Sequence, residues 1–311
     1  MASPLKFAAI ALSLLVSQAL VGQDSNSAIE QSRLFQKIAP PTASSITTDG
    51  TALPGDGIAS DDGSFGAQQM LKAQEKTREF EVSGAASVFF TSNVALTRRD
   101  TMDDIFFVAD AAVGWTHRIN NEFQLQLGTR ASIFRYNETS ALDFQSVGAG
   151  IGAIWTPASA WGIGVIARYD FIELIDRHSN ELLQDHEFSL AIQKIVALGR
   201  SHGLSFALLA SADISDPFAE QRDQIGAAIG YHLQLARNFG MDLNYRHAWY
   251  FYNSGERTDL NQVISLGLHY QLAKWATLEA FVSGATNYST ESVFKYDVFN
   301  TGGGVGLTVR F

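Results

Sequence analysis

The sequence predicts a transmembrane, antiparallel, up-and-down β-barrel of about twelve strands behind an N-terminal extension. Three observations carry this reading. Apolar and polar residues alternate with period two from Glu79 to the end of the chain. The connections alternate between short turns and longer polar loops. After Glu79 only Pro157 and Pro217 occur, one in a short turn and one in a long loop, and a strand paired on both sides cannot spare the N–H that proline lacks.

The elements follow in chain order. Residues 1–22 (MASPLKFAAIALSLLVSQALVG) have one basic residue, Lys6, an apolar stretch from Phe7 to Val16 and the small-x-small site Ser17-Gln18-Ala19. That is the pattern of a secretory signal peptide, too short for a helical span. Residues 23–78 read as a periplasmic linker, rich in Gln, Ser, Thr, Asp and Gly and holding Pro40, Pro41 and Pro54. Such a stretch has little to bury and is expected to be extended. The exception is 64–78 (SFGAQQMLKAQEKTR), where helix formers predict a short helix, either a plug inside the barrel or a loose periplasmic element.

From residue 79 to 311 the barrel strands are expected near 79–92, 104–117, 122–136, 143–156, 161–174, 185–197, 203–214, 223–236, 240–252, 260–273, 276–288 and 298–311. The first is typical: Phe80, Val82, Ala86, Val88 and Phe90 fall on one face, and Glu79, Glu81, Ser83 and Ser87 on the other. The apolar faces are almost free of charge at mid-strand, which suits lipid, and lipid forces every backbone group to be paired within a closed sheet. Short turns after the even strands and long loops after the odd ones place both termini on the short-turn side, the periplasmic side of such a barrel. Trp115, Trp155, Trp161 and Trp275 sit at strand ends beside short turns, and Trp249 near the opposite end. They are candidates for an interfacial aromatic girdle.

The chain closes with GVGLTVRF, in which Leu307, Val309 and terminal Phe311 alternate. This resembles the C-terminal signature strand of Gram-negative outer-membrane β-barrel proteins, over a region of similar general pattern from Glu79 to Phe311. The resemblance implies a location in the outer membrane, among its lipids and lipopolysaccharide. It also implies insertion from the periplasm with periplasmic chaperones and the barrel-assembly machinery as partners, Phe311, Val309 and Leu307 serving as the assembly signal.

Composition excludes several functions. With no Cys among 311 residues there is no disulfide framework, Cys nucleophile or Cys-ligated metal. A net charge of −10 argues against nucleic acid. The seven His lack metal-binding spacing, so neither metal nor other cofactor is expected. His178-Ser179-Asn180 resembles the His-x-Ser-Asn motif of outer-membrane phospholipases and lipid A deacylases. Here the His and Ser are adjacent rather than two apart, so they would point to opposite faces of a strand, and the reading is non-enzymatic. Asp176, Asp185 and His186 are the other residues that could gather near His178 at the outer mouth. Gly302-Gly303-Gly304 lies in the closing strand, where glycine serves curvature or close packing.

Parity puts Asp110, Arg130, Arg168, Asp170, Asp213, Arg246 and Glu279 on the inner wall, the candidate pore-lining set. The favoured function is a narrow porin-like channel for small solutes. The alternatives are a structural or loop-binding barrel with a filled lumen, a lipid-active enzyme of the outer leaflet, and an autotransporter-like translocator barrel.

Overall fold

The computed structural model describes residues 26–35, 79–199 and 201–310. Twelve antiparallel strands run in sequence order around a closed barrel: β1 (Phe80–Thr91), β2 (Asp104–Arg118), β3 (Phe123–Tyr136), β4 (Phe144–Trp155), β5 (Ile163–Asp176), β6 (Glu181–Ala197), β7 (His202–Asp216), β8 (Arg222–Ala236), β9 (Phe239–Tyr252), β10 (Thr258–Ala273), β11 (Ala276–Ser289) and β12 (Tyr296–Arg310). β12 closes on β1 in a continuous register from Glu81↔Arg310 to Thr91↔Asn300, which leaves no sheet edge. The expected strands are all present. The largest difference is β6, which begins at Glu181 rather than 185, so a four-residue turn (177–180) replaces the longer loop expected there.

The period-two pattern sorts the faces. Val82, Val88, Ile105, Phe107, Leu127 and Ile133 point outward and are exposed. Ser83, Gln126, Ser132 and Ser146 point inward and are buried. The triple glycine of β12 lies at the seam. A Cβ on Gly302 would stand 2.5 Å from the Val88 carbonyl oxygen, and one on Gly304 would stand 2.5 Å from that of Ala86. Both distances lie inside van der Waals contact, so the seam approaches as closely as it does because these positions carry no side chain.

The expected helix over 64–78 lies outside the described residues, as do the signal peptide and Phe311. Within the stretch read as extended linker, residues 26–35 instead form a helix, α1. Ser27, Ala28, Ile29 and Gln31 to Phe35 are all buried. The sequence NSAIEQSRLF supplies the reason. It offers helix formers, puts Ala28, Ile29, Leu34 and Phe35 into an apolar surface, and pairs Glu30 with Arg33 one turn apart at 3.3 Å. Ten residues are marginal as a free helix, so this one is stabilised by what surrounds it.

A helix-filled mouth as candidate functional site

The helix α1 lies inside the barrel at the long-loop end, and its surroundings divide into two walls. One is apolar. Phe89 (β1), Phe106 (β2), Phe134 (β3) and Phe144 (β4) turn inward with Tyr136, Phe281 and Tyr296 and form one buried cluster with Ala28, Ile29, Leu34 and Phe35. The Phe35 ring lies 4.9 Å from that of Phe106, edge-on, and 5.4 Å from Phe89. These inward phenylalanines depart from the expected polar inner face. Most of them lie toward the long-loop ends of their strands, with Phe281 nearer mid-strand, around the space that α1 fills.

The other wall is charged and aromatic. The turn Phe218–Glu220 bends Glu220 inward, where its carboxylate accepts from Arg33 Nη1 at 2.9 Å and its backbone carbonyl from Nη2 at 3.0 Å. Asp185 stands 3.9 Å from the same guanidinium. Glu30 accepts from the Tyr252 hydroxyl at 3.1 Å and from Arg222 Nη1 at 3.4 Å. The Arg222 guanidinium stacks 3.9 Å from the Tyr250 ring centre, and that of Arg257 lies 3.8 Å from Tyr252 while binding Asp259. Burial alone would raise the Glu30 carboxyl, but Arg222, Arg33 and Arg257 outweigh it and hold it down at about 2. At Glu220 burial wins over Arg33, and the carboxyl is pushed above its usual range.

The first long loop covers the assembly. Gln31 Nε2 donates to the carbonyls of Asn93 and Val94, at 3.3 and 2.9 Å, and Ser27 Oγ to that of Ala95 at 2.9 Å. Asn93 and Val94 are buried in turn.

The residues predicted to line a pore lie mostly below this assembly, on the inner face. Arg130 and Asp110 pair at 3.5 Å, and Arg168 Nε donates to Asp170 at 2.9 Å. Arg246 Nη2 donates to Asn261 at 2.7 Å, and Glu279 faces His269 across the β10–β11 ladder. Asp213 sits higher and is buried. Nearer the short turns, Asp242 bridges His232 and His269, whose rings stack 5.9 Å apart. Trp155, Trp161, Trp249 and Trp275 are exposed, and the Trp115 indole donates to Glu79 at 3.1 Å. Val309 and Leu307 point outward.

The His178-Ser179-Asn180 segment is a tight turn. Asp176 Oδ1 accepts the backbone N–H groups of His178 and Asn180 at 2.7 and 2.8 Å. Asp185 and His186 do not join it. They point to opposite faces of β6, Asp185 inward to Ser215 and His186 outward to Tyr169.

Strand parity missed the residues that grip the helix. A β8 expected from 223 leaves Arg222 and Glu220 in a loop, whereas the strand begins at Arg222, and Glu30 and Arg33 lie in the stretch expected to be linker. The available signal was the local pattern of residues 26–35, diluted by the Gln- and Ser-rich sequence around it.

No protein-family model and no curated protein matches the sequence. Solved structures do match by fold. An outer-membrane channel from Pseudomonas putida F1 superposes with a TM-score of 0.55 at 7% identity, covering 78% of this chain and all of that one. An anion-selective porin from Comamonas acidovorans gives 0.41 at 7% identity over 74% and 98% of the two chains. The translocator domain of an autotransporter from Neisseria meningitidis gives 0.43 at 11% over 75% and 90%. With its closed twelve-strand antiparallel wall, this chain has the fold of the outer-membrane β-barrels.

Proposed function

We propose that the protein is a gated outer-membrane channel for small solutes, in which its own N-terminal helix α1 is the gate. The observation that carries this is the way the helix is held. A permanently filled barrel would be expected to seal its lumen with packing from its own strands. Here the seal is a separate ten-residue segment, gripped partly through ion pairs that water can replace. Below it the inner wall carries charges of both signs, as a selectivity region does. In this reading the chain is exported by residues 1–22, is inserted by the barrel-assembly machinery after escort by periplasmic chaperones, and sits in the outer membrane with lipid and lipopolysaccharide around it. The start of β1 and the end of β12 then face the periplasm, while α1 sits at the opposite, long-loop end.

Planar-bilayer recording tests the gate. The full chain is expected to conduct rarely. Removing residues 26–35, or substituting both Glu30→Gln and Arg33→Gln, is expected to raise the open fraction at least tenfold. A barrel that stays closed in both variants would replace this reading with that of a structural or loop-binding barrel. Deleting Phe311 is expected to reduce assembled barrel without reducing synthesis, read as heat-modifiable gel mobility. Normal assembly of that variant would remove the terminal residue from the assembly signal.

A further inference from the structure

The helix is gripped as a ligand would be, and its contacts describe what could take its place. Glu30 gives a carboxylate to Arg222 and Tyr252. Arg33 gives a cation to Glu220, with Asp185 at 3.9 Å. The two groups lie 3.3 Å apart, about the separation of ammonium and carboxylate in an α-amino acid. Beside them Ile29, Leu34 and Phe35 fill the aromatic wall, beginning one residue from Glu30. When the helix leaves, both charges lose their ion-pair partners together, and Arg222 keeps the Tyr252 hydroxyl at 3.1 Å and the face of Tyr250. Among the described residues, Glu30 is the one carboxylate within ion-pair range of Arg222, and Arg33 the one cation within that range of Glu220. Arg257 is not released in this way, because Asp259 holds it. Arg222 and Glu220 are both buried while the mouth is filled, so an occupant that leaves either of them unpaired is held at a cost.

We infer that the mouth is a binding site for a zwitterion of the amino-acid class with an apolar side chain, and that α1 occupies it as a stand-in ligand. The carboxylate of the solute takes the place of Glu30 on Arg222 and Tyr252. Its ammonium takes the place of Arg33 on Glu220, and its side chain lies on Phe89, Phe106 and Phe134. A solute with only one of the two charges leaves a buried partner unpaired, which is a source of selectivity. This inference rests on the gated-channel reading, since solute and helix compete for one site.

L-phenylalanine is the probe, with 3-phenylpropionate (no ammonium) and phenethylamine (no carboxylate) as controls. Binding is measured by calorimetry on the full chain in lipid nanodiscs. The Glu30→Gln/Arg33→Gln variant is expected to bind phenylalanine at least tenfold more tightly than the native chain, and either control at least tenfold more weakly than phenylalanine. Arg222→Met in that background is expected to erase the preference for phenylalanine over phenethylamine. Glu220→Gln is expected to erase the preference over phenylpropionate. In the native chain, phenylalanine is expected to raise the open fraction in bilayers, a readout that needs no variant to fold. Equal binding of phenylalanine and either control would overturn the proposal, as would no response of the native chain together with no binding to the variant. Saturable, zwitterion-selective binding to a barrel that never conducts would keep the site and remove the channel. Conductance through the released barrel without that binding would do the reverse.

Discussion

At the scale of single residues, one position along a strand decides between lipid and lumen. Leu127 of β3 is 46% exposed on the outer face, while Gln126 beside it is 4% exposed on the inner face. A guanidinium at Leu127 would have to be desolvated among acyl chains. Leu127→Arg is therefore expected to destabilise the barrel by about 2–4 kcal/mol if the position lies near the bilayer midplane. Gln126→Glu puts its charge on the lumen side, away from acyl chains, and is expected to cost less than Leu127→Arg. Reversible unfolding from lipid vesicles measures both, and equal losses would contradict the assignment of faces. Inside, the same logic explains the stacked arginines. Arg222 and Arg257 lie over Tyr250 and Tyr252, which supply an electron-rich surface where there is too little water to solvate a cation.

At the scale of elements, the β12 seam depends on what its glycines lack. A Cβ on Gly304 would stand 2.0 Å from Ser87 Oγ as well as 2.5 Å from a backbone oxygen. The hydroxyl can rotate away, but the carbonyl is fixed in the ladder. Gly304→Val is expected to open the β1–β12 seam and abolish heat-modifiable mobility, whereas Gly255→Val, in a long loop with nothing near its Cβ position, should leave it unchanged. The seam was legible in the sequence because period two, turn spacing and proline avoidance all depend on neighbours along the chain. The expected strands recur within a few residues for the same reason. The filled mouth was far less legible. Its aromatic wall comes from strands whose inward positions look alike until one knows what fills the space. Phe89 and Phe90, or Phe106 and Phe107, read simply as apolar pairs. The grip on α1 joins residues as far apart as Glu30 and Tyr252, a contact no local pattern contains.

For the whole molecule, the two carboxylates at the mouth predict how closure varies with pH, and they act with opposite signs. Glu30 is held at about 2 while the helix is docked, chiefly by Arg222 and Arg33 against the cost of burial, and returns toward the ordinary 4.5 when the helix leaves. Its contribution to docking is complete above the ordinary value and is lost as pH falls toward 2. Glu220 is raised because its ion pair with Arg33 recovers only part of the cost of burying its charge, so docking gains as pH falls through the raised value toward the ordinary 4.5. Lowering the pH from neutrality should therefore first tighten the gate and then, below about 3, release it. Single-channel open fraction across this range is expected to pass through a minimum near pH 4–5. Trypsin cleavage after Arg33, sampled on the neutral side where the enzyme works, should fall as the pH is lowered toward that minimum. Glu220→Gln should remove the decline on the neutral side and leave the acid release in place, while Glu30→Gln should do the opposite. A monotonic pH response that neither substitution alters would mean that the charges at the mouth hold the helix in place without governing its departure.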